Sequence, residues 1–420
     1  MLLKVLSNEI DAIIKTGKIL PRNILDAGSG VGVLGVCAAG ALLDTGSDFH
    51  IRSQDRDELA SIFTGINARI NKIPDDKISS FTEPMLAGPF INYDLILTNI
   101  PAKAGLPVLE DFITRSVNMI NADGRIMMVA VNTLSQFFTE QINNYGALFF
   151  REQGPGHTVY VFGQDIDKSD RYSSDSVHAP INNDNFFIKC PGYIRNKNDY
   201  EMENITYHLD TIHGAQGFDS PGNDAEAAAK LTLRLGEKIA ASEKPLSVLI
   251  WAEDQGHYAA WFVKWQIQLY FSFNENEFNF VKNDFNMVLA GRNILALSTA
   301  RRNTVIALGE DSGTEKIKAV SAADLLLDMD RIKNEKNGFN LLAIFPEPVP
   351  GTDRYEAMWE SLARLALPSA IVITCFTSSE AGRFDRRKTP AFQRLGDYKK
   401  NGYRAMAYMK IIQPGLENFD

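Results

Sequence analysis

Residues 23–32, Asn-Ile-Leu-Asp-Ala-Gly-Ser-Gly-Val-Gly, constrain the fold of this chain more than any other segment. A short apolar run carries Asp26, glycines follow at 28, 30 and 32, and an apolar stretch runs from 33 to 43. That order spells strand, tight turn, helix. Glycines there let the backbone reverse sharply and approach a ligand with no side chain in the way. Two phosphate-binding loops fit less well because of what is missing, which leaves a nicotinamide oxidoreductase as a distant third reading. A Walker loop ends in Gly-Lys-Ser/Thr, which is absent. A dinucleotide fingerprint needs a third glycine where this chain has Val33.

Further strand ends come in order. A second strand is expected at 49–54, ending at Asp55, with Arg56, Asp57 and a helix from 58 to 71 behind it. The spacing from Asp26 to Asp55 fits one strand–helix–strand unit. An acid at the tip of the second strand can accept both hydroxyls of a ribose; alone, it reads equally as a solvated charge or a helix cap. Residues 93–105 place Asn99 at the end of an apolar strand, with Pro101 stiffening the turn after it.

The run from Asp26 to Gly32 resembles the first motif of class I S-adenosylmethionine-dependent methyltransferases. The run from Asn99 to Gly105 resembles Asn-Pro-Pro-Phe-His-x-Gly of the small-domain methyltransferases that make N2-methylguanine in ribosomal RNA. Asn99, Pro101 and Gly105 match, whereas Ile100 replaces the first proline, Ala102 the aromatic and Lys103 the histidine. The resemblance extends over residues 20–163. It implies S-adenosylmethionine as cofactor, with Asp26, Gly28, Gly30 and Gly32 around its methionine part. It implies Asp55 on the ribose, Arg56 beside the adenine, and Thr82 or Glu83, at the end of the third strand, on the adenine edge. Asn99, Ile100 and Pro101 would face the target nitrogen, and Lys103 a substrate phosphate.

The chemistry explains the asparagine. An exocyclic amine is a poor nucleophile because its lone pair is delocalised into the ring. The Asn99 amide oxygen and the Ile100 carbonyl can hold its two N–H groups and turn the lone pair toward the methyl group, so catalysis rests on positioning and dipoles. The family aromatic stacks on the base. Its absence at Ala102 leaves a protein or small-molecule amine open as acceptor, and also a silent cofactor-binding scaffold.

The chain of 420 residues is long enough for two or three domains, and its 45% apolar and 23% charged residues describe an ordinary globular protein. A formal charge of -9 argues against a broad nucleic-acid-binding surface but not against a local basic patch. The three scattered cysteines, Cys37, Cys190 and Cys375, suggest neither a disulfide framework nor a metal cluster, and with no signal peptide or membrane span the expected location is the cytoplasm. No metal is expected.

After a polar run at 164–185, a second strand–helix pattern appears. Strands are expected at 246–251, 293–298, 340–345 and 370–376, with a helix from 258 to 271. Asp94 to Gly105 and Asn340 to Gly351 align without a gap, which suggests an internal duplication. The second copy has Trp251 and Gly256 in place of the acid and glycines, Thr299 to Arg302 where Asp55 stands, and Phe345 where Asn99 stands. Residues 207–224 resemble the lead-in to a small-domain core, whereas the first half begins almost at its core: either its substrate-binding edge is shortened or the recorded start is internal.

The expected fold is α/β: two tandem Rossmann-like doubly wound domains, with mostly parallel sheets and helices on both faces. Residues 1–163 form the methyltransferase domain, 164–185 a linker and 186–414 a degenerate methyltransferase-like domain. Between Arg383 and Arg404, a run of cations including Arg386, Arg387 and Lys388, interleaved with Tyr398 and Tyr403, is a candidate platform for structured RNA, or else a solvated surface. The expected activity is N-methylation, with RNA the favoured acceptor class. No oligomeric state can be read from the residues.

Overall fold

The computed structural model describes the chain apart from residues 18, 89–91, 166, 168–185, 216, 218, 243–244, 274–284, 310–313, 334–337, 347–352 and 412–420. The chain divides into two compact units, Met1–Ile194 and Arg195–Asp420. Residues 186–194 therefore belong with the first unit, where Arg115 holds both Asp111 and the carbonyl of Lys189. The expected linker lies outside the described residues apart from 164, 165 and 167.

The first unit runs α1 (Leu2–Thr16), β1 (Asn23–Ala27), α2 (Val33–Leu43), β2 (His50–Asp55), α3 (Glu58–Ile70), β3 (Ile78–Thr82), β4 (Tyr93–Asn99), α4 (Leu106–Asn118), β5 (Ile120–Val131), α5 (Ser135–Tyr145), β6 (Ala147–Gln153) and β7 (His157–Gly163). The seven strands pair in the order β3-β2-β1-β4-β5-β7-β6. All pairings are parallel except those of β7, which runs antiparallel to β5 and β6. Central strands are mostly buried because helices cover both faces; Ile24, Leu25, Asp26 and Ala27 of β1 are all fully buried. Asp57 starts α3 by accepting from the amides of Leu59 and Ala60 at 2.9 and 3.1 Å, a cap that contributes about 1 kcal/mol. The strand order reverses between β1 and β4, and at such a switch point the carboxyl ends of the strands open a crevice.

The second unit opens with a hairpin, β8 (Ile194–Met202) and β9 (Ile205–Ile212), and then a helix, Asn223–Arg234. Its main sheet contains β10 (Leu246–Trp251), β11 (Phe285–Gly291), β12 (Ile317–Ser321), β13 (Phe339–Ile344), β14 (Ala366–Thr377), β15 (Phe392–Lys400) and β16 (Tyr403–Lys410). The order β12-β11-β10-β13-β14-β16-β15 repeats that of the first sheet strand for strand. The two halves are therefore tandem Rossmann-like domains of one topology.

One expected strand is wrong. Residues 293–298 are not a strand; they begin the helix Ile294–Leu308, which Asn293 caps through the amides of Leu295 and Ala296. The run Ile-Leu-Ala-Leu is buried on all sides, and a short apolar run carries no period that separates strand from helix. The second strand of the copy is β11. By register its tip places Gly291, not residues 299–302, where the first unit has Asp55.

Candidate functional site

The glycine loop is built by its backbone. Gly28, Gly30 and Gly32 have φ of 70°, 55° and 85°, in the left-handed region that side chains disfavour. The amides of Gly28 and Ser29 both donate to the carbonyl of Gln54 at the end of β2. From α3, Thr64 donates to the Gly30 carbonyl at 3.1 Å and Asn67 to the Val31 carbonyl at 2.8 Å. At Gly32 a Cβ would lie 2.7 Å from Thr64 Cγ2. Gly32→Ala therefore combines a clash with left-handed strain and is expected to cost about 1–2 kcal/mol of stability. The denaturation midpoint and cofactor titration measure it.

Asp55 ties this loop to the strand tips. Its Oδ2 accepts from the Gly30 amide at 2.9 Å and its Oδ1 from the Asp57 amide at 2.9 Å. The carboxylate is half-buried at the mouth of the crevice, with exposed Arg56 beside it. Thr82 pairs with Asp55 in the ladder, and the Glu83 amide donates to the Asp55 carbonyl. The Glu83 carboxylate turns away to Arg52, at 2.6 Å. Arg52 also stacks over Phe81 and donates to Gln54. Glu83 thus orders the floor under the β2 and β3 tips. Its backbone and Thr82 are what remain for an adenine edge.

Asp26 sits deeper than the sequence suggests. It is fully buried, with Oδ2 accepting from the amide of Gly35 at 2.8 Å. It anchors the start of α2 beneath the loop and does not face the crevice. A Cβ on Gly35 would lie 2.7 Å from Ser53 Oγ and 2.8 Å from Asp26 Oδ2. Gly35 is therefore a fourth required glycine, missed because it lies inside the helix. Burial pushes the Asp26 carboxyl up to about 7, helped by the Asp55 charge and opposed by the Gly35 amide. The folded state then keeps a proton that the unfolded chain loses near the ordinary value of 3.8. Stability attributable to this group falls as pH rises from about 4 to about 7. Asp26→Asn is expected to flatten that fall, as read by denaturation midpoints across the window.

Asn99 ends β4 across the switch point from the loop, its neighbour Thr98 pairing with Ala27. Its side chain is exposed. The Ile100 amide donates to the Val129 carbonyl at 3.1 Å, a bond that the family proline could not make. The Ile100 side chain is buried with Leu86, Phe112 and Met128. The first departure from the motif is thus compensated by one more ladder bond. Pro101, Ala102 and Lys103 are exposed, the last two in a short 3-10 turn. The structure therefore gathers the glycine loop, Asp55, Thr82 and 99–103 at one end of one sheet. Arg386, Arg387 and Lys388 belong to the second unit.

The same crevice in the second unit is rebuilt. Register places Ile250 at the position of Asp26, Ala252 at Gly28 and Phe345 at Asn99. Ala252 and Gly256 keep left-handed φ of 55° and 97°. The acid has moved into the loop: Glu253 accepts from the amides of Tyr258 and Ala259 at the start of the helix His257–Phe273. Burial raises that carboxyl to about 8. Phe345 is buried against Tyr258. The counterparts of Asp55 and Asn99 are thus Gly291 and Phe345, which carry neither a carboxylate nor an amide. The aligned segment 347–351 lies outside the described residues.

Among the described residues no group of His, Cys, Asp and Glu could hold a metal ion, and no helix is long and apolar enough to cross a membrane. Residues 2–148 match the family model of the methyltransferase small domain. Among solved structures the chain is similar to the T. Thermophilus 16S rRNA N2 G1207 methyltransferase (RsmC) in complex with AdoMet and guanosine, at 14% identity and a TM-score of 0.57, over 95% of this chain and 91% of that one. It is also similar to a ribosomal protein L11 methylase from Lactobacillus delbrueckii subsp. bulgaricus, at 18% identity and a TM-score of 0.32, over 38% of this chain and 77% of that one. A search of the curated proteins gives no match. The first likeness shows a shared fold, and the family match falls on the unit that carries the glycine loop, Asp55 and Asn99. The first unit is a methyltransferase small domain of the S-adenosylmethionine-dependent class.

Proposed function

We propose that the first unit methylates an exocyclic amine of a nucleobase in structured RNA. The observation that carries this reading is the exposed Asn99 at the tip of β4, the strand that pairs with β1 where the glycine loop begins. S-adenosylmethionine supplies an electrophilic methyl on a sulfonium. Asn99 Oδ1 and the Ile100 carbonyl would accept the two amine N–H groups and aim the nitrogen lone pair at that carbon. With the cofactor bound, the methyl group would pass to that nitrogen with the C–S electron pair left on sulfur, and the amine proton would be released to water. Asp55 would exchange its Gly30 amide contact for ribose hydroxyls, with Arg56 beside the adenine. Lys103, exposed after Pro101, would meet a substrate phosphate.

The favoured acceptor draws support from the Asn-x-Pro motif and from the ribosomal RNA substrate named for RsmC. The exposed Ala102 favours a second reading, a protein or small-molecule amine, because no aromatic side chain stands there to stack on a base. The cations of the second unit are partly committed. Arg387 pairs with Asp353 and Glu356, Arg394 with Asp385 and Asp397, and Arg404 with Asp397. Lys388 donates to the Phe392 carbonyl at 2.7 Å. Any phosphate platform on this face has to draw cations out of these pairs, so binding there should be weak and salt-sensitive.

The test is methyl incorporation from labelled S-adenosylmethionine into RNA and into protein from cells lacking this chain. Labelled N-methylated nucleoside in RNA supports the reading. Label confined to protein or to the small-molecule extract of those cells selects the second reading, and no label in RNA, protein or extract favours a silent scaffold.

A further inference from the structure

In the first unit an apolar face stands open beside the glycine loop. Val31, Val33, Phe63, Ile66 and Ile70 are 46%, 54%, 42%, 37% and 70% exposed. Phe63, Ile66 and Ile70 recur at the three- and four-residue steps that put side chains on one face of α3. Val31 is drawn to the same helix by Asn67.

The second unit shows what such a face is for. Its loop and its helix Ile294–Leu308 occupy the same places, and Asn303 repeats the Asn67 bond by donating to the carbonyl of Gln255, the counterpart of Val31. There the face is covered by the hairpin strand β9. The counterparts of Val31, Val33 and Phe63 are Gln255, His257 and Thr299, which are 0%, 5% and 0% exposed. Asn303 grips the strand backbone at Asp210 from both sides: its Oδ1 accepts the Asp210 amide and its amide nitrogen donates to the Asp210 carbonyl, each at 2.9 Å. Arg302, the counterpart of Ile66, pairs with the Asp210 carboxylate. Gln255 accepts from the amide of Ile212, and Tyr207 bonds to His257.

We infer that the open face of the first unit is a docking site for an extended polypeptide strand with apolar side chains, held at one peptide unit by Asn67. The amide that reads a strand backbone is retained. The cation that reads Asp210 is replaced by Ile66, so the preferred strand is apolar at that position. Pairing of a peptide with a side-chain amide and an apolar helix face follows the logic of strand and groove recognition modes, and exposed apolar patches beside a functional loop mark interaction sites.

The probe is a labelled synthetic peptide of residues 194–212, unmodified and as Asp210→Leu, titrated onto the full chain by fluorescence anisotropy. The expected result is saturable binding of the Asp210→Leu peptide, at least tenfold tighter than the unmodified one. Ile66→Asp and Phe63→Ser in the protein should each weaken it at least tenfold, with unchanged denaturation midpoint and S-adenosylhomocysteine binding. No saturable binding of either peptide overturns the inference. So does binding that Ile66→Asp leaves intact, which places the peptide elsewhere. A dimer in sedimentation that Ile66→Asp dissociates would assign the face to a second copy and overturn it as well.

Discussion

Asn99→Ala is expected to bind S-adenosylhomocysteine like the unmodified protein and to transfer methyl groups about 10²- to 10³-fold more slowly, the usual effect of removing one preorganised polar partner from a transition state. The separation of the two readouts follows from the geometry. Asn99 is exposed at the β4 tip and takes no part in the loop network of Gly30, Asp55, Thr64 and Asn67. Its removal leaves the cofactor crevice intact and deprives only the acceptor amine. Asn99→Asp tests the sign of the charge there: a carboxylate also accepts N–H bonds, so a residual rate above that of the alanine variant is expected. Single-turnover rates with saturating acceptor measure both.

Asp55→Ala is expected to weaken S-adenosylhomocysteine binding about 10²- to 10⁴-fold, from the loss of two hydrogen bonds to a charged group at about 1.5–3 kcal/mol each. A second effect adds to the first. In the free protein this carboxylate already fixes the Gly30 and Asp57 amides, so its loss also loosens the loop before any ligand arrives. Asp55→Asn keeps one acceptor oxygen and should recover part of the affinity. Isothermal titration of both variants checks the order.

Much of this architecture is legible in the residues. The helix read at 33–43 and the strand at 246–251 coincide with Val33–Leu43 and Leu246–Trp251, because turn glycines and uniform apolar runs mark them. The strand β6 is not legible, since residues 149–153 are exposed at the sheet edge and show no alternation. The strand β11 and the helix after it are displaced by one element in the sequence reading, because a fully buried apolar run has no polar face to reveal its period. At the site, residue identity is legible but direction is not. Asp26 belongs to the motif yet turns inward to Gly35, and Glu83 turns to Arg52, a partner 31 positions earlier in the chain. Contacts of that range depend on strand register, which no local pattern states. The same limit applies to the second unit: the acid at Glu253 takes over the helix-capping work of Asp26 from a different position in the loop.

The central claim is that one of two topologically identical units holds the cofactor and the other has lost the means to do so. Calorimetric titration of the full chain with S-adenosylhomocysteine tests it most directly. One equivalent, weakened at least 10²-fold by Asp55→Ala and untouched by Glu253→Gln, is the predicted result. Two equivalents, or a single one whose affinity Asp55→Ala leaves unchanged, would contradict it.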